Sequence, residues 1–232
     1  HTAIRRQRQM CIRDSNQNEK IKREDDMINY IVITAARCAP ENRQTALSHM
    51  PGFAADLISK AGAVRCRFGV TMSGLVPGAL VFVQMYESLA GFEKAIDVMP
   101  QSKAYTSMLN EAEVDIYARN LMKAMPISFT EGSAEAKYLV LTRAMAPKGM
   151  SPDEFTGEVQ NTASIFADGG ALTMRLGRIM TGSNPGGYML GVSYPSLAAV
   201  EATYDKLATD SGFTSFANKI DINMRSVVRL HG

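Results

Sequence analysis

Residues Arg67 to Asp97 are written twice in this chain. Arg67-Phe68-Gly69-Val70-Thr71-Met72-Ser73-Gly74 returns as Arg175-Leu176-Gly177-Arg178-Ile179-Met180-Thr181-Gly182, an offset of 108 residues (67 to 175) without a gap. Pro77-Gly78 returns as Pro185-Gly186, and Tyr86, Ser88, Leu89 and Glu93 as Tyr194, Ser196, Leu197 and Glu201. The same offset pairs Tyr30, Val32, Thr34 and Ala36 with Tyr138, Val140, Thr142 and Ala144. A solenoid repeat spans about 20–50 residues, so a period this long marks a duplicated domain. The chain therefore divides into a tail (1–26), a first unit (27–119), a linker (120–136) and a second unit (137–232).

The tail distorts the composition. Met10-Cys11-Ile12-Arg13-Asp14-Ser15 resembles the translation of a transposon-derived sequencing adapter, which would make residues 1–15 an artefact of assembled reads; a native tail is the alternative. Residues 16–26 are polar and charged, and Met27 precedes the first apolar run. The whole chain is net +2, but residues 1–15 carry four arginines and one aspartate, so the remainder is net −1. The basic balance thus gives no case for nucleic-acid or membrane partners. No stretch approaches the ~20 apolar residues of a membrane span. Beyond residue 15 the cysteines are Cys38 and Cys66, whose spacing suits neither zinc nor a disulfide framework, and a reducing cytoplasm is the expectation. Fifteen methionines without a tryptophan predict a soft core.

Tyr30 to Ala36 is rich in β-branched residues and reads as a strand. Its aliphatic face, Ile31 and Ile33 (Leu139 and Leu141 in the copy), is expected to pack on helices, which turns Tyr30, Val32 and Thr34 to the other side. A helical region follows over Thr45 to Ala61, interrupted at Pro51-Gly52. In the copy Ser151-Pro152-Asp153-Glu154 is a capping box, with Phe155, Val159, Thr162 and Phe166 at helical spacing. In the strand Val64–Met72, Arg65, Arg67, Gly69 and Thr71 share one face. A Gly/Pro turn leads to a third strand (Ala79–Tyr86), a helix capped by Ser88, a short helical piece (Tyr105–Asn110) and a last strand (Val114–Arg119). Each half is β-α-β-β-α-β, the ferredoxin-like split arrangement, so the fold class is α+β.

Two such units, with the exits Tyr86-Glu87-Ser88-Leu89 and Tyr194-Pro195-Ser196-Leu197, resemble the dimeric α/β-barrel superfamily, in its NIPSNAP-like and stress-responsive types, fused as a pseudo-dimer. The resemblance covers about Met27 to Leu230 and rests on element order. It implies two four-stranded sheets closing a barrel, helices outside and ligands inside. The superfamily includes cofactor-free monooxygenases, small-ring isomerases, haem enzymes and proteins without known activity.

Arg67 and Arg175 either hold an anionic or carbonyl group at the barrel mouth, where a planar fork suits a carboxylate, or stand at the contact between halves with glycine marking close approach. Tyr30, Tyr138, Thr34 and Thr142 would line the interior, the tyrosines orienting a carbonyl or acting as weak acids; the alternative is core tyrosines bonded to backbone. His49 has no counterpart, its equivalent being Gly157; it is a candidate base or haem ligand, or a solvated helix residue. The loops Gly74–Gly78 and Gly182–Gly187 are hairpin turns rather than phosphate cradles. No metal set and no cofactor are expected.

Two functions stay open. One is a small-molecule barrel enzyme, a cofactor-independent oxygenase or isomerase acting on an apolar carbonyl or phenolic compound. The other is a non-catalytic metabolite-binding or assembly subunit, with self-association into a homo-oligomer open in both. A roomy interior lined by those tyrosines and arginines favours the first; one filled by Met72, Met85, Met180 and Met189 favours the second.

Overall fold

The computed structural model describes residues 28–232, so the adapter reading of residues 1–15 and the tail assignment lie outside it. The strands are β1 (Tyr30–Arg37), β2 (Arg65–Thr71), β3 (Leu80–Tyr86), β4 (Asp115–Met125), β5 (Tyr138–Met145), β6 (Thr173–Thr181), β7 (Tyr188–Tyr194) and β8 (Asp221–Leu230). They close one antiparallel barrel in the order β1-β3-β2-β8-β5-β7-β6-β4. The first four strands are contiguous around the wall, as are the last four. Tyr30 opposes Tyr86 in β1–β3, and Tyr138 opposes Tyr194 in β5–β7.

Helices α1 (Arg43–Asp56), α2 (Leu89–Val98) and α3 (Lys103–Glu111) cover the first sheet; α4 (Pro152–Asn161), α5 (Ala163–Asp168), α6 (Leu197–Thr209) and α7 (Ser211–Ala217) cover the second. Pro51 does not interrupt α1. Leu47, Met50, Phe53 and Ala54 bury around it, and that burial outweighs the ~3 kcal/mol cost of an internal proline. A π-helical turn (Leu57–Ala61) then ends at Gly62 in the left-handed region, φ 72°. The Ser151–Glu154 capping box forms in both directions. Ser196 accepts the Ala199 N–H at 3.1 Å, whereas Ser88 holds the N-cap position of α2 without a side-chain bond. Strand β4 runs on to Met125, through residues read as the start of the linker, because Leu121–Met125 pair with β6.

Both sheet faces are buried, in three cores. Two lie between sheet and helices, around Phe53, Phe82 and Tyr86 in one half and Phe155, Phe216 and Tyr194 in the other. The third fills the barrel with Ile31, Val83, Met85, Met122, Leu141 and Met189. This reverses the expected orientation of β1 and β5. Ile31, Ile33, Leu139 and Leu141 point into the barrel, while Tyr30, Tyr138, Thr34 and Thr142 face the helix layers. An eight-stranded barrel has room only for compact side chains inside, and the longer aromatic ones go where helices set the spacing.

The halves meet at two seams, β2–β8 and β4–β6. Gly69 approaches β8 so closely that a Cβ there would lie 2.1 Å from the Arg229 carbonyl oxygen. At Gly177 a Cβ would meet only the Met122 side chain, at 3.0 Å from its Cβ. Gly74 (φ +109°) and Gly182 (φ +107°) turn the chain past Ser226 and Arg119, where a Cβ would come within 2.0 and 2.4 Å of Oγ and the carbonyl oxygen. These matched glycines are thus turn and close-approach positions.

The two seams differ in tolerance. Gly69→Ala is expected to lose about 3 kcal/mol or more of stability, since backbone must move, and Gly177→Ala about 1 kcal/mol. Urea unfolding of both variants measures this, and equal losses would contradict the tighter β2–β8 approach.

Candidate functional site

Two internal spaces stand out among the described residues. The first, about 60 Å³, lies inside the barrel at the end where β2 and β6 begin. Residues i and i+2 of a strand share a face, so β2 contributes Arg65 and Arg67, and β6 Thr173 and Arg175. Met85, Met122 and Met189 form part of its apolar wall. Thr173 and Ser193 share a hydroxyl hydrogen bond of 2.7 Å.

The segment between β4 and β5 adds a residue that sequence reasoning missed, Glu131. Arg175 Nη2 donates to its Oε1 at 2.5 Å, and Arg65 Nη1 stands 3.7 Å from Oε2. The Arg175, Arg65 and Glu131 side chains are 18, 17 and 24% exposed, so water screens these pairs less than surface pairs. The segment is anchored on both sides of Glu131: Gln160 bonds Ser128 at 2.7 and 3.0 Å, and Gly132 N–H donates to the Leu172 carbonyl at 2.9 Å. Glu131 lies between the two copies, so it has no twin and no periodicity to reveal it.

The second space, about 50 Å³, lies between the second sheet and α4–α7, walled by Phe155, Phe166, Leu207, Phe213 and Phe216. Its polar lining is Thr142, Thr162, Tyr188, Tyr204 and Arg225. Arg225 stands at its exposed edge, its Nε donating to Thr142 Oγ1 at 3.3 Å and its guanidinium 4.8 Å from the Tyr204 ring centroid. Burial pushes the Tyr204 phenol up, against the lowering pull of Arg225 and Thr142, so it stays protonated. The matching space in the first half is about 20 Å³. There Arg119 Nε donates to Thr34 Oγ1 at 3.1 Å, and Gln84 and Tyr105 help line it.

The remaining candidates are dispersed. Tyr30 packs against the first helix layer, with Lys123 Nζ 4.4 Å from its ring centroid, and Tyr138 against the second. His49 sits on the outside of α1, its Nε2 3.3 Å from Glu111 Oε2. Hydrogen bonds from Ser107 first and His49 second hold that carboxyl below its usual range. Behind α1 the ~20 Å³ seam lies against Met50, Phe53 and Met108, so these residues do not fit a haem. Met85 and Met189 lie in the barrel core, whereas Met72 and Met180 are exposed. Burial pushes the Cys66 thiol up to about 12, which makes it a core residue at neutral pH. No group of three or more His, Cys, Asp or Glu suited to a metal occurs among the described residues, and no described helix is long and apolar enough to cross a membrane.

A closed eight-stranded α+β barrel with helices outside defines the class of protein. The chain belongs to the family described as Domain of unknown function (DUF6854), whose model matches it twice, over residues 28–124 and 136–230. No curated protein matches the sequence. Among solved structures it is similar to a provisionally assigned monooxygenase of Fusobacterium nucleatum (TM-score 0.65, 11% identity, covering 88% of this chain and 93% of that one). It is also similar to a mutant chlorite dismutase from Candidatus Nitrospira defluvii (0.59, 8%, 88% and 91%) and to an anthrone oxidase-like protein (0.57, 11%, 88% and 92%). At these identities the likeness is one of fold.

Tyr86 and Tyr194 pack under their helices with different polar partners. Tyr86 OH donates to the buried Gln84 Oε1 at 2.7 Å. The Tyr194 hydroxyl lacks that partner, the corresponding residue being Val192; its polar neighbour is the Thr203 hydroxyl, which donates to the Ala199 carbonyl at 2.9 Å and leaves Tyr194 no hydrogen bond of good geometry. Tyr86→Phe is expected to cost about 1.5 kcal/mol and Tyr194→Phe within about 0.5 kcal/mol of nothing. Thermal unfolding of the two variants decides it; an equal cost would mean that Tyr194 is satisfied after all.

Proposed function

We propose that the chain is a small-molecule-binding barrel protein built from two fused ferredoxin-like units, and that its second sheet–helix space takes a compact apolar compound with an acidic oxygen, phenolic or enolic. The carrying observation is Arg225 at the edge of an otherwise apolar space, bonded to Thr142 and stacked on Tyr204. Arg225 pulls a bound phenol or enol towards its ionised form against burial, which pushes the other way and wins at Tyr204, so the more acidic compounds are the ones held as anions. Aromatic walls take the ring, while the Thr142 and Tyr204 hydroxyls orient the oxygen. The space is smaller than the ~150 Å³ apolar cavity that admits benzene, so a ring enters only as Phe213 and Tyr204 shift outward.

The reaction we assign is cofactor-independent oxygenation, because an electron-rich phenolate or enolate is the species that dioxygen itself oxidises. The provisionally assigned monooxygenase and the anthrone oxidase-like protein that share the fold support this class by analogy. One observation favours the second reading, binding without turnover: the lining holds no histidine or carboxylate to take a proton. Only substrates that ionise readily beside Arg225 would then react. The partner is in either case a small molecule.

Calorimetric titration with simple phenols and a compact enolisable diketone such as acetylacetone, together with oxygen uptake, tests both readings. Arg225→Gln is expected to weaken binding about tenfold or more, the worth of a charge-assisted hydrogen bond. Unchanged affinity in that variant would end the assignment of this space. Binding without oxygen uptake would select the non-catalytic reading.

A further inference from the structure

The barrel's inner space is separate from the sheet–helix site, on the opposite face of the sheet. We propose that it is a second binding site, for a short-chain monocarboxylate, with the head group among Arg67, Arg65 and Arg175 and the alkyl tail against Met85, Met122 and Met189. Three observations converge on it. First, all six side chains line one space of about 60 Å³. A water occupies about 10–15 Å³ on this scale, so a carboxylate with a short tail fits and a ring does not.

Second, the guanidiniums are already arranged for a carboxylate. Glu131, delivered by the anchored linker, engages Arg175 at 2.5 Å and approaches Arg65 at 3.7 Å. Guanidinium forks recognise planar carboxylates by geometry as well as charge. A ligand head group would join or displace that carboxylate, which makes Glu131 a built-in competitor.

Third, the room exists because the copies differ here. Gly191 stands where the first half has Val83, Ser193 where it has Met85, and Thr173 where it has Arg65. The register confirms the equivalence, Arg67 opposing Val83 and Arg175 opposing Gly191. A Cβ at Gly191 would make only ordinary contacts, 3.5 and 3.6 Å from Leu141 and Leu139. The backbone therefore does not require glycine at this position. The thioethers opposite adapt to tails of different length.

The test is calorimetric titration of the full-length chain with acetate, propionate and butyrate, with sulfate as a tail-less anion. Affinity is expected to rise up to about fourfold per added methylene until the space is filled. Gly191→Val changes no charge and is expected to weaken butyrate binding at least tenfold while the far-ultraviolet circular dichroism stays native. Arg67→Gln should do the same, and Glu131→Gln should strengthen binding several-fold. Absence of saturable butyrate binding, sulfate binding as tightly as butyrate, or indifference to Gly191→Val would each overturn the proposal. Any of these results leaves the Arg225 reading untouched, since that residue lies on the other face of the sheet.

Discussion

Closure of the barrel rests on how near two backbones can come at the β2–β8 seam. Each half is a four-stranded sheet with two edges, and an unpaired edge invites pairing with another chain. Here the edge strands of one half pair with those of the other, and at Gly69 the approach leaves no room for a side chain. The turn glycines Gly74 and Gly182 then swing the chain away beside Ser226 and Asn120, whose Oδ1 accepts the Ser183 N–H at 2.6 Å. This explains why Gly69, Gly74 and Gly78 return in the second copy as Gly177, Gly182 and Gly186. The stretch that holds them makes closure, and both copies need it.

Closure also decides what kind of space is available. Once the barrel forms, both faces of every sheet are covered, one by the opposite wall and one by helices. The interior must hold residues short enough to interdigitate across the axis, and aliphatic and thioether side chains do so. An arginine can enter only near an end, where its head finds a partner and its stem lies on apolar neighbours. Arg65, Arg67 and Arg175 occupy such places at one mouth.

Burial of both faces also set the limit of what the sequence could disclose. The matched residues, the element order and the alternation within β2 were legible, because constant offsets and period-two spacing are local properties. Which face of β1 looks inward was not. Ile31 and Val32 are both buried, so hydrophobicity does not distinguish barrel from helix layer. The choice depends on the strand's neighbours around the ring, a non-local fact. Thr142 was legible as a functional candidate and Arg225 was not. Their pairing comes from the β5–β8 register, and Arg225 falls 106 residues after its counterpart Arg119 (119 to 225), not 108, because the second copy is two residues shorter between β7 and β8 than the first is between β3 and β4. Glu131 was hidden by lying between the copies, where comparison of the copies cannot reach.

In a duplicated chain, agreement between copies and disagreement between them carry different information. Matched Gly69 and Gly177, or Tyr86 and Tyr194, serve the shared frame. The larger internal spaces lie where the second copy has departed from the first: Gly191 for Val83 inside the barrel, Val192 for Gln84 and Tyr204 for Ile96 on the helix side. Each change has a cost or a gain in physical terms. Val192 leaves the Tyr194 hydroxyl without the partner that Gln84 gives Tyr86. Tyr204 carries a ring to the space beside Arg225, where Ile96 is exposed on the surface of the first half. A frame held by matched residues can accept such departures because the residues that close the barrel are unchanged. The asymmetry is therefore where selection for a ligand can act without dismantling the fold.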